Sequence, residues 1–226
     1  MRIFVLVGIV LLSHLSGFAQ QSEVRSVGSF NGVKAAEAID VYLKKGDKES
    51  VRVEVSGTSL SNVITEVAGS YLKIHMASGN FRKTNVKAYV TYVSLEKVYA
   101  SSASNVFSEG VIKTSSMDVN VSSAATVELE LDAGEVTADV SSAGDIVLEG
   151  RAGSLEAEAS SAGDIDAYNL ESGDVRARAS SAGSIKVNAT KSLDARASSG
   201  GDVRYRGNPM KTNTDSSSGG SVKKSN

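Results

Sequence analysis

The chain has no cysteine, no tryptophan, one proline and two histidines in 226 residues. Without cysteine there are no disulfides, no thiolate chemistry and no cysteine-ligated zinc. Aromatic residues make up 5% of the chain, so its core must be built from small aliphatic groups. A single proline beside 21 glycines suits a protein of strands and turns. The net charge of -2 is neither the basic footprint of a nucleic-acid binder nor a polyacidic tail. No apolar run is long enough for a comfortable membrane span. The longest one, Ile3 to Leu15, is interrupted by Ser13 and His14.

That run has a different reading. Met1-Arg2 supplies a short positive start, and Gly17-Phe18-Ala19 puts small residues at the -3 and -1 positions of a cleavage site. Residues 1–19 are therefore expected to be a secretory signal peptide, cut before Gln20. No cysteine follows the cut, which excludes a bacterial lipoprotein anchor. The expected destinations are the periplasm, the outer-membrane surface or the medium.

What the chain has in abundance is one motif. Ser-Ser-Ala-Gly-Asp-Ile stands at 141 and again at 160, with Ser-Ser-Ala-Gly-Ser-Ile at 180 and looser copies at 101, 122, 198 and 217. The starts are 21, 19, 19, 20, 18 and 19 residues apart. A fixed period near 19 is the signature of a solenoid. Each repeat holds two segments in which apolar and polar residues alternate, as half-buried strands require. The first contains Val127-Leu129, Ile146-Leu148, Ile165-Ala167, Ile185-Val187 and Val203-Tyr205. The second contains Val136-Ala138-Val140, Leu155-Ala157-Ala159, Val175-Ala177-Ala179 and Leu193-Ala195-Ala197.

From Val140 to Ile146, and at each later Ser-Ser corner, the step between inward residues is six. The opposite corner varies between six and eight residues and is expected to be a loop that tolerates insertion. Stacking one rung on the next puts Glu156 beside Arg176, Arg176 beside Asp194, Glu158 beside Arg178 and Asp166 beside Lys186. Opposite charges on adjacent strands contribute roughly 0.2–1 kcal/mol each. The expected fold is all-β, a right-handed parallel β-helix with about 19 residues per rung; right-handed coiling is the default for parallel crossovers. Residues 24–226 are expected to form one domain, with irregular strands over 24–100 and regular repeats over 101–226. A short helical turn fits within Ser59 to Val67. Ser217-Ser218-Gly219-Gly220-Ser221-Val222 reads as a last, weak rung capped by Lys223-Lys224.

These residues resemble a known family. Phe30-Asn31-Gly32-Val33, Ala38-Ile39-Asp40-Val41-Tyr42-Leu43, Thr65-Glu66-Val67 with Leu72-Lys73-Ile74, the repeated Ser-Ser-Ala-Gly-Asp-Ile, and Tyr205-Arg206-Gly207-Asn208-Pro209 are similar to the bacterial family labelled putative auto-transporter adhesin, head GIN domain. The likeness runs from about Val27 to Val222. It departs at Ala38, where many members have glycine. The resemblance implies an exported β-helical domain of a kind common in Bacteroidetes-type bacteria. It supplies no catalytic or ligand residues to carry over.

Candidate sites follow from parity and stacking. Asp145 and Asp164 stack on adjacent rungs, with Ser184 and then Asp202 beyond. Such oxygens suit calcium, but Gly-Asp also fits a tight corner by bonding local backbone. The serines at 123, 142, 161, 181 and 199 have the parity of inward residues, which suggests hydroxyls bonding inside a bend. Tyr168 points outward, where its ring could stack on a sugar. With Arg176, Arg178, Arg196, Arg204 and Arg206 it forms the candidate ligand surface, suited to an acidic polysaccharide. The alternative is a solvated face of cross-strand ion pairs. Tyr89, Tyr92 and Tyr99 fit either core or surface. His75, the one histidine after residue 19, is outward by parity. It stands outside the repeats, which argues against a Ser-His-Asp triad and leaves lysine as the alternative base. No cofactor and no catalytic residue are expected.

Three functions compete. One is a surface or envelope protein binding glycan or extracellular matrix through the solenoid side. Another is a structural or assembly module with envelope protein partners. The third, a polysaccharide-active enzyme, rests on fold analogy alone.

Overall fold

The computed structural model of the protein describes residues 21–81 and 83–225; the expected signal peptide lies outside the described residues. The fold is nearly all β, with 67% of residues in strands, and winds into a β-solenoid of about seven turns with about 19 residues each. Nine shorter strands come first. They are β1 (Gln21–Ser26), β2 (Gly32–Ala35), β3 (Asp40–Lys45), β4 (Ser50–Ser56), β5 (Val63–Ala68), β6 (Tyr71–Met76), β7 (Asn85–Tyr92), β8 (Lys97–Ala100) and β9 (Asn105–Ser108). Five longer ones follow: β10 (Ile112–Val121), β11 (Thr126–Val140), β12 (Asp145–Ala159), β13 (Asp164–Ala179) and β14 (Ser184–Ala197). The chain closes with β15 (Asp202–Arg206), β16 (Lys211–Ser216) and β17 (Ser221–Lys224).

Each rung has two sides. The first face stacks β3, β9, the first halves of β11 to β14, then β15 and β17, all parallel. The second face stacks β6, β2, β8, β10, the second halves of β11 to β14, then β16. The N-terminal end is closed differently. Strand β7 adds parallel to β3 on the first face, β4 then pairs antiparallel with β7 and β1 antiparallel with β4, and β5 adds antiparallel to β6 on the second face. A one-turn 3₁₀ segment, Leu60–Asn62, capped by Ser59, leads into β5, within the stretch where a helical turn was expected.

Stacking begins earlier than the repeats. β2 and β3 already form a rung, joined by Ala36, Glu37, Ala38 and Ile39. The backbone of Glu37 and Ala38 is left-handed, with φ of 66° and 57°. Ala38 N–H donates to Ser102 O at 2.9 Å, as Ala103 N–H does to Ser123 O at 3.0 Å one rung on. This is a Ser-Ser corner without its motif. Ala38 sits in a conformation that favours glycine, which explains why glycine is the residue expected there.

The Ser-Ser corners are two-residue turns of type I′, with positive φ at both central residues. Ser142 and Ala143 have φ of 52° and 57°, and Gly144 N–H donates to Ser141 O at 3.1 Å. Ala143 N–H then donates to Ser161 O at 3.1 Å on the next rung. The turns therefore form a ladder of their own. Counting parity through such a turn fails, because two left-handed residues break the alternation of a strand. This corrects the expectation for Ser123, Ser142, Ser161, Ser181 and Ser199: all five are exposed at the turn tips, not inward.

Left-handed backbone costs an alanine about 1–2 kcal/mol. The exposed Ala143, Ala162 and Ala182 lose no packing when replaced. Each change to glycine is expected to stabilise the fold by about 0.5–1 kcal/mol, after the extra unfolded-state entropy of glycine is subtracted. Ser199-Gly200 and Ser218-Gly219 already use glycine at that place. Calorimetric melting of the three single variants checks this; a lower Tm in all of them would mean the corners hold no strain.

The opposite corner is no loop. β11 to β14 pass through it as continuous strands, bending where Gly134, Gly153 and Gly173 stack. A Cβ on these glycines would stand 2.6, 2.6 and 2.5 Å from a carbonyl oxygen of the rung before. The variable spacing is absorbed as register shifts, between Val147 and Glu149 in one pair and between Ala167 and Glu171 and Ser172 and Asp174 in the next.

The core follows the repeat. Ile146, Ile165 and Ile185 stack in register on the first face, and Ala138, Ala157, Ala177 and Ala195 on the second, all with no exposed surface. The last rung differs. Leu193, Ala195 and Ala197 are continued by Thr212, Thr214 and Ser216, all exposed. A polar terminal repeat closes a solenoid against water and against further stacking.

Candidate functional groove

On the second face, the last outward residue of each strand and the first serine of each corner are two positions apart and share a side. Stacked over the rungs, they line a groove of about 610 Å³ that runs along the solenoid axis. One wall is the serine column Ser122, Ser141, Ser160, Ser180, Ser198 and Ser217. The other is the row Tyr99, Asn120, Asp139, Glu158, Arg178, Arg196 and Asp215. All of these serines are half-buried except Ser217, in the last rung, which is exposed.

The charges in the groove are mostly matched. Arg178 Nη1 donates to Glu158 Oε1 at 2.9 Å and to Glu156 Oε1 at 3.2 Å. That pairing, the bond to Glu158 first, raises the Arg178 pKa further above its ordinary value. Arg176 reaches Glu156 at 3.3 Å and Arg196 reaches Asp194 at 3.4 Å. Asp139 has no ion-pair partner among the described residues. Burial, then the charges of Glu158, Asp118 and Glu156, push its pKa up. A raised folded pKa means the fold favours the protonated acid, so ionised Asp139 weakens the fold as pH climbs through that value.

The residues expected to form one ligand surface stand on two. Arg176, Arg178 and Arg196 lie on the second face, Arg178 and Arg196 in the groove. Tyr168, Arg204 and Arg206 lie on the first. Tyr168 is engaged by the C-terminal segment: its hydroxyl bonds Ser225 Oγ at 2.6 Å, and the Arg206 guanidinium stands 4.9 Å from its ring centre. Arg206 also donates to Tyr168 O and, at 3.1 Å, to Asn169 Oδ1. Arg204 pairs with Asp202 at 2.8 Å.

Asp145 and Asp164 are register neighbours, with Ser184 separating Asp164 from Asp202. Burial, then the neighbouring Asp164, raises the Asp145 pKa. Among the described residues no three acidic, histidine or cysteine side chains converge in a way that could hold a metal ion.

Two features escaped the sequence reading. Tyr99 heads the groove, whereas Tyr92 is buried. Tyr89, Tyr42 and Phe107 form a pile on the first face, with ring centres 5.1 and 5.5 Å apart and Arg52 3.9 Å above Tyr89. The rings cover one another's faces and show edges to solvent, which suits a structural staircase better than a stacking platform. The signal for the groove was present, since the first serine recurs in all seven corners.

Comparison with known proteins adds a family and a fold. The profile of the family described as "Putative auto-transporter adhesin, head GIN domain" matches residues 29–209. A solved structure described as a putative adhesin from Bacteroides fragilis is 22% identical, covers 92% of this chain and 97% of its own, and superposes with a TM-score of 0.84. A second putative adhesin, from Parabacteroides distasonis, is 23% identical over 93% of this chain and 98% of its own, with a TM-score of 0.74. A protein from the same species described as a putative lipid binding protein is 17% identical over 92% and 97%, with a TM-score of 0.69. At these identities the likeness is one of fold. No curated protein matches the chain.

Proposed function

Because the chain belongs to the putative auto-transporter adhesin, head GIN domain family, we propose that it is an exported, non-enzymatic binding module of the cell envelope or surface that holds a linear glycan in the serine-lined groove. One observation carries this reading: the groove crosses six corners, so its hydroxyls recur at every rung. Rungs about 4.8 Å apart put six serines over roughly 24 Å. A hydroxyl both donates and accepts, so the column can follow a polymer that is itself a row of hydroxyls. Asn120, Asp139 and Arg196 add donors and acceptors along the same line, and Tyr99 offers an aromatic edge at one end.

The polar groups are spread evenly along the groove, and Glu158 is held by Arg178. That arrangement supports binding over catalysis, which needs groups converging on one bond. The hydroxyl and charged lining also suits a sugar better than an acyl chain, although one structural neighbour is described as lipid-binding.

The test is a panel of glycans and matrix proteins probed with the chain from Gln20 onward. Tyr99→Ala and Arg178→Ala are expected to weaken binding about tenfold each, the loss typical of a central contact. Arg204→Gln, on the first face, should leave it unchanged. A blank panel, or a loss no larger for the groove variants than for Arg204→Gln, would sink the reading.

A further inference from the structure

Several outward charges on this solenoid pair from rung to rung. Glu156 meets Arg176, Glu158 meets Arg178, and Asp166 meets Lys186. At the N-terminal end of the second face three lysines come together. Lys34 on β2 has Lys73 on one side in register and Tyr99 on the other. Lys97 on β8 lies beside Gly32, two positions along the same ladder and on the same outward side. Like charges opposite each other on adjacent strands repel.

Three carboxylates stand nearby in register or sequence. Asp118, the register neighbour of Lys97, accepts from Asn120 Nδ2 at 2.7 Å. Glu96 accepts from Asn31 Nδ2 at 2.8 Å. Lys73 has Glu66 at 3.9 Å, with both side chains well exposed. Among the described residues neither Lys34 nor Lys97 has a carboxylate within ion-pair distance. Both lean instead on aromatic rings, Lys34 Nζ 4.3 Å from the centre of Tyr99 and Lys97 Nζ 5.7 Å from that of Tyr71. Tyr99 belongs to the groove as well, so the cationic patch is the groove's N-terminal mouth.

We infer that this patch anchors an anionic sugar unit, a carboxylate or sulfate ester held among Lys34, Lys73 and Lys97 with its ring against Tyr99. The inference rests on the groove reading and adds a ligand class and a direction. The next charges along the groove, Asp139 and Glu158, are negative. A second anionic unit there is disfavoured, so the fitting chain carries its charge at the lysine end and runs neutral down the serines.

The experiment uses the chain from Gln20 onward and three probes: a neutral hexasaccharide ending in one galacturonate, the methyl ester of that probe, and the neutral hexasaccharide carrying one sulfate on its end unit. Binding is followed by chemical-shift titration. The uronate, the sulfated sugar or both should bind about tenfold more tightly than the ester at low salt, and which of them does so identifies the anion. A Lys34→Gln, Lys97→Gln double variant should erase that preference and leave ester binding unchanged. Raising ionic strength from about 0.05 to about 0.3 M should shrink it as well, because exposed charges are screened.

Equal binding of all three probes overturns the anchor and leaves the groove reading standing. A preference that survives in the double variant also overturns it. Lysine-dependent binding whose affinity Arg178→Ala does not lower supports the anchor and overturns the groove reading. Absence of binding by both anionic probes overturns the anchor, and the glycan panel then judges the groove by itself.

Discussion

Ile165→Ala is expected to cost about 3–4 kcal/mol of unfolding free energy, within the range for large-to-small changes in a well-packed core. Ile165 has no exposed surface and stacks in register between Ile146 and Ile185. Truncation removes apolar burial and leaves a cavity. The cavity has little means of closing, because the strands on both sides are pinned by backbone ladders to their own neighbours. Ile165→Val should cost about 1 kcal/mol. Val222→Ala should cost less than Ile165→Ala, since Val222 is half-buried in the final rung. Urea unfolding followed by circular dichroism gives all three values. An Ile165→Ala cost no larger than that of Val222→Ala would mean the rungs do not share one core. A reduced m-value would show that the cut solenoid unfolds in parts.

Gly183→Ala is expected to cost about 3 kcal/mol, at the upper end for overpacking, and Gly144→Ala about 1 kcal/mol or less. The two glycines hold the same place in corners two rungs apart, yet a Cβ on each meets different atoms. At Gly183 it would stand 2.5 Å from Ala159 O and 2.6 Å from Ala159 C. Neither rung can yield there, because Gly183 N–H bonds Ser180 O at 2.8 Å and Ser184 N–H bonds Gly163 O at 2.9 Å. At Gly144 the nearest atom is Val121 Cγ1, at 2.9 Å, and the nearest backbone atom is Ser141 O, at 3.2 Å. A methyl group can shift where a carbonyl cannot. The corner of the rung before carries Ala125 at this place, fully buried, which shows that a Cβ fits where the stack is looser. Thermal melting of the two variants checks the contrast; equal losses would remove the distinction drawn between side-chain and backbone contact.

The stacked charges were legible in advance. Glu156, Arg176 and Asp194 share a ladder position, as do Glu158 and Arg178, and Asp166 and Lys186. Register in a solenoid follows from the repeat length, so aligning the copies is the same operation as stacking the rungs. The rung formed by β2 and β3 was less visible because it lacks the serine motif. Its spacing was nevertheless there: Ala35 to Val41 is six residues, the same step as Val140 to Ile146.

The sequence by itself determined the solenoid, its period, its inward columns and the pairing of charges between rungs. Each of these depends on residues one period apart, and a period is a property of the chain read linearly. Only the tertiary structure decided which outward residues share a face, because alternation separates inside from outside and cannot tell one side of a rung from the other. It therefore put Arg178 in the groove and Arg204 on the opposite face. It also turned the second serine of each corner outward, through a left-handed turn that parity cannot count across. It covered Tyr168 with Ser225, 57 residues away, a contact no local pattern encodes. The groove itself is tertiary: a serine at one corner is a turn residue, and six of them stacked at the spacing of strands are a surface.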